Sequence, residues 1–252
     1  MKRVDVLLVE RGLAASRTQA RRLIEDGAVL WQYGLQWQVV SKASQKIDPD
    51  WPLKIDPDME VAYVSRGGIK LAGALAQSGI DPTGWVVLDV GQSTGGFTDC
   101  LLQAGARQVV GVDVGHDQLA PNLRDHPNVV CYEGINARAL PSELLQHTEG
   151  GFDLAVMDVS FISQTLILPG LVAMLKPGGY VLSLVKPQFE VGQAGIGKGG
   201  IVRDEQLYEG VEHILRGCCA QLGLSVMGYF PSSITGGDGN REFFICAQKP
   251  SA

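Results

Sequence analysis

The spacing of apolar positions changes once along the chain. Near the start, Val4, Leu7 and Leu8 recur at helical spacing in VDVLLVERG, which predicts a short helix ending near Gly12. In SRTQARRLIEDG the stripe is Ala20, Leu23 and Ile24. Ser16 followed three residues later by Gln19 is a capping box, and Gly27 stands where a helix-terminating glycine belongs. Short β segments are expected at 29–31 and 37–40. The stretch DPDWPLKIDPD, residues 48–58, is rich in turn-forming dipeptides. From residue 65 the pattern becomes apolar runs of strand length: VVLDV, QVVGVDV, NVVCYE, FDLAVMDV and YVLSLVK, with two more at 224–229 and 242–248. Helical stretches separate them. That alternation predicts an α/β domain with a mainly parallel seven-stranded sheet and helices on both faces. The expected organisation is a small α+β domain at 1–60, a linker at 61–64 and the α/β domain at 65–252.

Charge sharpens this division. The 252 residues carry a net charge of -6, which argues against a protein basic throughout. Residues 1–46, however, hold eight basic residues (Lys2, Arg3, Arg11, Arg17, Arg21, Arg22, Lys42, Lys46) against four acids, a net +4 that leaves -10 on the rest. A basic head on an acidic body points to a polyanion as partner of the head. Arg17 and Arg21 share a helix face, and Arg17, Arg21 and Arg22 crowd the start of that helix. The five cysteines form no CxxC pair and suit a reduced, cytoplasmic protein. The four histidines show no metal-ligand spacing, so no metal is expected. Glu10 and Arg11 interrupt the first apolar run, so it does not read as a signal peptide. No apolar run reaches the roughly 18 residues of a membrane span. A pore-forming activity therefore has no support.

The candidate chemistry begins at LDVGQSTGGFTD, residues 88–99. A strand runs into Asp89, then Gly91, Gly95 and Gly96, where backbone can approach a ligand without a Cβ in the way. In open parallel sheets, ligands sit at the carboxyl ends of the strands. A phosphate-cradling GxxxxGK[ST] loop is excluded, because no lysine follows Gly96. The GxGxxG spacing of a dinucleotide site is interrupted by Ser93 and Thr94. An acid followed by x-Gly-x-Gly-x-Gly suits S-adenosylmethionine, with Ser93 replacing the middle glycine. Asp113 closes the next strand, 24 residues after Asp89, where an acid can take both hydroxyls of a ribose. Asp158 and Lys186 end two later strands and so project at the same edge.

Two resemblances extend this reading. VDVLLVERGLAASRTQARRLIEDGAV resembles the S4 RNA-binding domain, although WQYGLQW departs from the short Val-x-Asn-Gly turn common there. DVGQSTGGFTDCLLQAGARQVVGVDVG, with SRGGIKL, MDVSFIS, LVKPQFE, GKGGIVRD and GNREFF, resembles the TlyA family, once called haemolysins. That family joins an S4 domain to an FtsJ-like, Rossmann-like methyltransferase domain. The resemblance implies 2′-O-ribose methylation of ribosomal RNA, usually at cytidine. It also implies a catalytic Lys-Asp-Lys-Glu set at Lys70, Asp158, Lys186 and Glu242. A ribose hydroxyl must be aimed at the methyl group and lose its proton. A lysine does this once its pKa of about 10.4 is lowered, as Lys70 and a sulfonium nearby would do for Lys186. The expected cofactor contacts are Asp89, Gly91, Ser93, Gly95, Gly96, Phe97, Asp113, Asn136 and Asp158. Asn136 could equally cap the next helix. The expected RNA contacts are Arg3, Arg11, Arg17, Arg21, Arg22 and Arg66. The glycine-rich stretch 192–200, with Lys198, has the composition of a mobile lid. Two other classes compete with ribose methylation: an RNA-holding assembly factor without turnover, and an RNA base methyltransferase. The oligomeric state is not read; a monomer is the default.

Overall fold

The computed structural model describes the chain except for residues 15, 26, 35, 41, 57–62, 193–194, 198–199, 203, 237–238 and 252, and except for the side chains of 18, 22 and 25. The described residues form two compact units, Met1–Arg66 and Gly67–Ala252. Residues 61 and 62 of the expected linker lie outside the described residues, as do Lys198 and the Arg22 side chain.

In the first unit, β1 (Lys2–Arg3) leads into α1 (Val4–Glu10) and α2 (Arg17–Glu25). Val4, Leu7 and Leu8 are buried as their spacing predicts, and Asp5 is buried with them. Ser16 Oγ accepts the Gln19 N–H at 3.2 Å, the first half of the capping box. At the other end, Gly27 N–H donates to Ile24 C=O and Ala28 N–H to Leu23 C=O, with Gly27 at φ +69°. This pair of bonds satisfies the last carbonyls and stops the helix. The strands are β2 (Val29–Tyr33), β3 (Gln36–Val39), β4 (Lys46–Ile47) and β5 (Leu53–Ile55). β2 lies between β3 and β5, antiparallel to both, and β1 pairs with β4. β5 falls within the stretch read as turns. Three residues are too few for an alternating pattern to register; its ladder with β2 makes it a strand.

The second unit starts within α3 (Arg66–Ser78), at Gly67. Its sheet consists of β6 (Val86–Val90), β7 (Gln108–Asp113), β8 (Val129–Glu133), β9 (Phe152–Met157), β10 (Leu175–Val185), β11 (Ser225–Pro231) and β12 (Phe243–Gln248). The order is β11-β12-β10-β9-β6-β7-β8. β12 runs antiparallel to both neighbours; the other pairings are parallel. This is the mainly parallel seven-stranded α/β sheet that the sequence predicts. All five residues of β6 are buried, as befits a strand covered on both faces. Each fully buried Val or Leu there contributes about 1.5–3 kcal/mol. The helices are α4 (Gly96–Gln103), α5 (Pro121–Arg124), α6 (Leu168–Met174) and α7 (Glu205–Gln221). Between β8 and β9, the expected helix is replaced by short 3-10 turns at Ala137–Ala139 and Ser142–His147. β10 starts five residues earlier than its apolar run, because its ladder with β9 is irregular between Leu175 and Tyr180.

The chain builds outward from β6 through β7 to β8, then returns to β9 on the other side of β6. The strand order therefore reverses between β6 and β9, the place where such sheets open a crevice at their carboxyl ends.

Candidate functional site

The glycine turn after β6 occupies that reversal point. Gly91 has φ +85°, and a Cβ there would lie 2.3 Å from the carbonyl oxygen of Asp158 at the end of β9. Gly95 has φ +96°, and its Cβ would meet Leu123 Cδ1 at 2.4 Å. These two positions admit glycine alone. Ser93, between them, also adopts positive φ, at +49°. Its N–H donates to Asp113 Oδ2 at 2.8 Å, while Asp113 Oδ1 accepts the Gly115 N–H at 2.7 Å. Asp113 thus holds the turn from the tip of β7, and each of its oxygens keeps a second lone pair. Gly96 opens α4, and the Phe97 ring packs in the core, its centroid 6.3 Å from that of Phe244. Only the Phe97 backbone is left to face a ligand.

Asp89 is completely buried beneath the turn. Thr98 Oγ1 donates to its Oδ2 at 2.7 Å, and Gln92 Nε2 donates to Thr98 Oγ1 at 2.9 Å. Its Oδ1 has no hydrogen-bond partner among the described residues. Burial pushes the Asp89 carboxyl up to about 7, with the Thr98 bond opposing and the charges of Asp158 and Asp113 adding. Asn136 is exposed and accepts the Arg138 N–H at 3.0 Å, so it caps the turn that follows β8.

The charged set meets at the same edge. Asp158 follows β9 and Lys186 follows β10, its parallel neighbour, and Lys186 Nζ lies 2.5 Å from Asp158 Oδ1. Ser160 Oγ also accepts from Lys186 Nζ, at 3.0 Å. Glu242 directly precedes β12, whose Phe243 pairs with Val185, so register sets Glu242 beside Lys186. Lys70, on α3, reaches Glu242 Oε2 at 2.6 Å, and both of these side chains are nearly buried. Asp158 Oδ1 and Glu242 Oε2 make these contacts at ion-pair distance without hydrogen-bond angles. Two Lys–carboxylate pairs thus stand at the carboxyl ends of β9 and β10 and beside the start of β12. They can orient a hydroxyl and exchange a proton with it.

Around this set stand residues that the sequence reading passed over. Phe161 is 90% exposed, with φ +64°, an outlying conformation for an aromatic residue. Its ring centroid lies 4.9 Å from that of Phe189, so the loops after Asp158 and Lys186 touch. Glu190 ties the same loops: it accepts from Ser163 Oγ at 2.6 Å and from the Gln164 N–H at 2.9 Å, and burial raises its pKa. Gln164 is buried and bonds Ser183 Oγ and the Leu184 carbonyl. Asn240, also buried, bonds the Val202 N–H and the Gly200 carbonyl and so holds the far end of the 192–200 stretch. The motifs MDVSFIS, LVKPQFE and GNREFF contain Phe161, Glu190 and Asn240; reading them for charge at strand ends left these neighbours aside.

In the first unit, Asp5 gathers the expected RNA-contacting arginines. Arg3 donates to both Asp5 oxygens, at 2.9 and 3.0 Å, Arg17 to Oδ2 at 2.9 Å, and Arg21 stands 3.7 Å away as an ion pair. Arg11 turns elsewhere, to the carbonyls of Pro49 and Trp51. The Arg66 guanidinium lies against Gly27, with Nη1 3.1 Å from where a Cβ would be.

Comparison with known proteins agrees with both units. The S4 domain family matches residues 2–50, and the FtsJ-like methyltransferase family matches residues 63–249. The YqxC protein of Bacillus subtilis (strain 168) is 46% identical over 245 residues, covering 97% of this chain and 84% of that protein. A protein of Mycobacterium tuberculosis (strain ATCC 25618 / H37Rv), named 16S/23S rRNA (cytidine-2'-O)-methyltransferase TlyA, is 42% identical, with 96% and 88% covered. A solved structure from Streptococcus thermophilus, named a hemolysin, is similar at a TM-score of 0.76 and 41% identity, covering 100% of this chain and 89% of that one. On these matches and this fold, the chain belongs to the FtsJ-like methyltransferase family and carries an S4 domain at its N-terminal end.

Proposed function

We propose that this protein transfers a methyl group from S-adenosylmethionine to a ribose 2′-hydroxyl of ribosomal RNA, with cytidine as the target nucleotide. The Lys186–Asp158 pair carries this reading: an ammonium and a carboxylate 2.5 Å apart at adjacent strand ends, beside a turn that side chains cannot occupy. The names of the relatives support the substrate class.

The residues of the turn fit the cofactor. Gly91 and Gly95 leave backbone where a Cβ would intrude, and the free lone pairs of Asp113 suit the two hydroxyls of a ribose. S-adenosylmethionine, when bound, supplies an electrophilic methyl group on a sulfonium. Lys186 Nζ orients the attacking hydroxyl and, in its uncharged form, accepts its proton. Asp158 and Ser160 fix the position of Nζ. Glu242 holds Lys70 at the neighbouring strand end, so a second positive charge stands near the reacting group. The exposed Phe161 ring offers a face on which an unpaired base can stack. The arginines of the first unit bind RNA backbone; such contacts position the substrate without specifying it. On this reading the protein works in the cytoplasm, where ribosomes are.

The test is methyl transfer from labelled S-adenosylmethionine to ribosomal subunits from cells lacking the protein, with wild type beside Lys186→Ala. Label recovered in alkali-resistant dinucleotides with wild type alone is the expected result. Label in bases, or equal label from Lys186→Ala, defeats the proposal.

A further inference from the structure

We propose that Asp5 is a positioning residue for RNA binding: its buried carboxylate gathers Arg3, Arg17 and Arg21 into one ordered cluster that grips backbone phosphates. The inference rests on the reading that the first unit binds RNA.

By charge alone, an acid in a basic surface should weaken the hold on a polyanion. The geometry points the other way. Asp5 is inaccessible because the guanidiniums cover it, and their own side chains remain 38% (Arg3) and 54% (Arg17, Arg21) exposed. Arg3 engages the two oxygens through Nε and Nη2, so its Nη1 is not taken up by Asp5; Arg17 uses one terminal nitrogen. Each guanidinium carries five N–H donors, so most of them stay available for a ligand. Arg3 precedes α1 and Arg17 and Arg21 lie on α2, so the carboxylate joins separate segments at one point. Lys46 stands directly opposite Arg3 in the β1–β4 ladder and is exposed. Three positive charges therefore converge on one negative charge, with Lys46 on the neighbouring strand beside Arg3. Left without Asp5, these cations would repel one another and sample many rotamers. Held by it, they are ordered before RNA arrives, and the ordering cost is not charged to binding. Planar forks matched to tetrahedral oxyanions favour phosphate as the ligand. The Asp5 carboxyl is held well below the usual carboxylate range, chiefly by the Arg3 hydrogen bond, so the anchor stays charged.

The experiment measures affinity of the full-length protein for labelled ribosomal RNA at fixed salt, with Asp5→Asn, Arg17→Ala and Arg3→Lys, alongside thermal melting and methyl-transfer kinetics. Asp5→Asn gains positive charge, yet its affinity is expected to fall about tenfold, with KM for RNA raised and kcat unchanged. Arg3→Lys keeps the charge and loses the fork; the same direction of change in affinity is expected, with the protein still folded and its melting temperature somewhat lowered. If Arg17→Ala weakens binding while Asp5→Asn binds equally or more tightly, the positioning role is overturned and RNA binding by this unit stands. If Arg17→Ala has no effect, the RNA-binding reading falls, and this inference with it. Should Asp5→Asn fail to fold, Arg3→Lys decides, and undiminished affinity there overturns the proposal.

Discussion

Asp5 in the first unit and Asp89 in the second are both shut off from solvent, yet they are driven in opposite directions. Asp5 lies under guanidiniums that hydrogen-bond and neutralise it, and its pKa falls well below the carboxylate range. Asp89 is fully buried with only Thr98, through its hydroxyl and backbone, to offset two nearby carboxylates, and its pKa climbs to about 7. Burial raises a carboxyl in both places; in Asp5 the guanidinium partners outweigh it, and in Asp89 nothing does. The two units differ accordingly. The small one keeps a charged acid beneath the guanidiniums that pair with it. The large one keeps an acid whose ionisation is opposed by burial and by the carboxylates at the strand tips.

The largest expected effect separates the tasks of the units. Lys186→Ala should lower single-turnover methyl transfer by about 10²–10⁴-fold with RNA affinity unchanged, the scale of losing a general base. A parallel loss of affinity would blur the division. Next comes the turn above Asp89. Gly91→Ala places a Cβ against the Asp158 carbonyl in a strained conformation, at a cost of about 1–3 kcal/mol, read by thermal melting, and should weaken cofactor binding in calorimetry. The third effect is the pair of opposite pH responses. A raised folded pKa means that the Asp89 contribution is fully present below the unfolded value of about 3.9 and is lost as pH rises towards about 7. Asp5, with a lowered pKa, contributes above that unfolded value and loses its contribution as pH falls below it. Hydrogen exchange followed in each unit across pH would show the two trends, and Asp89→Asn should flatten the first. A rising stability of the second unit from pH 4 to 7 that vanishes in Asp89→Asn would contradict the assignment. The smallest effect is at Ser93, whose positive φ suits glycine. Ser93→Gly should change stability by no more than about 0.5 kcal/mol in melting, since relief of strain is offset by a more flexible unfolded chain.

Much of the scaffold is legible in the chain because its signals are local. The two helices of the first unit follow from stripes and caps within a dozen residues, and five of the seven strands of the large sheet from unbroken apolar runs. The glycine turn could be placed because a strand must end before it. Two losses show the limit. β5 is three residues long, and only its pairing with β2, more than twenty residues earlier, makes it a strand. The connection after β8 reads as helix by composition, yet it forms short turns capped by Asn136.

At the site, sequence indicated which charges end neighbouring strands. It could not indicate what each one meets. Asp158 and Lys186 are 28 residues apart and Lys70 and Glu242 are 172 apart; only strand register and the seat of α3 bring each pair together. The same holds for Glu190, which staples two loops, and for Asp5, one acid in a basic stretch until three guanidiniums converge on it. Apolar period, turn chemistry and residue type are properties of adjacent residues, and the chain alone determined them. Ionisation, hydrogen-bond partners and the separation of reacting groups depend on distances across the fold, and the tertiary structure decided them.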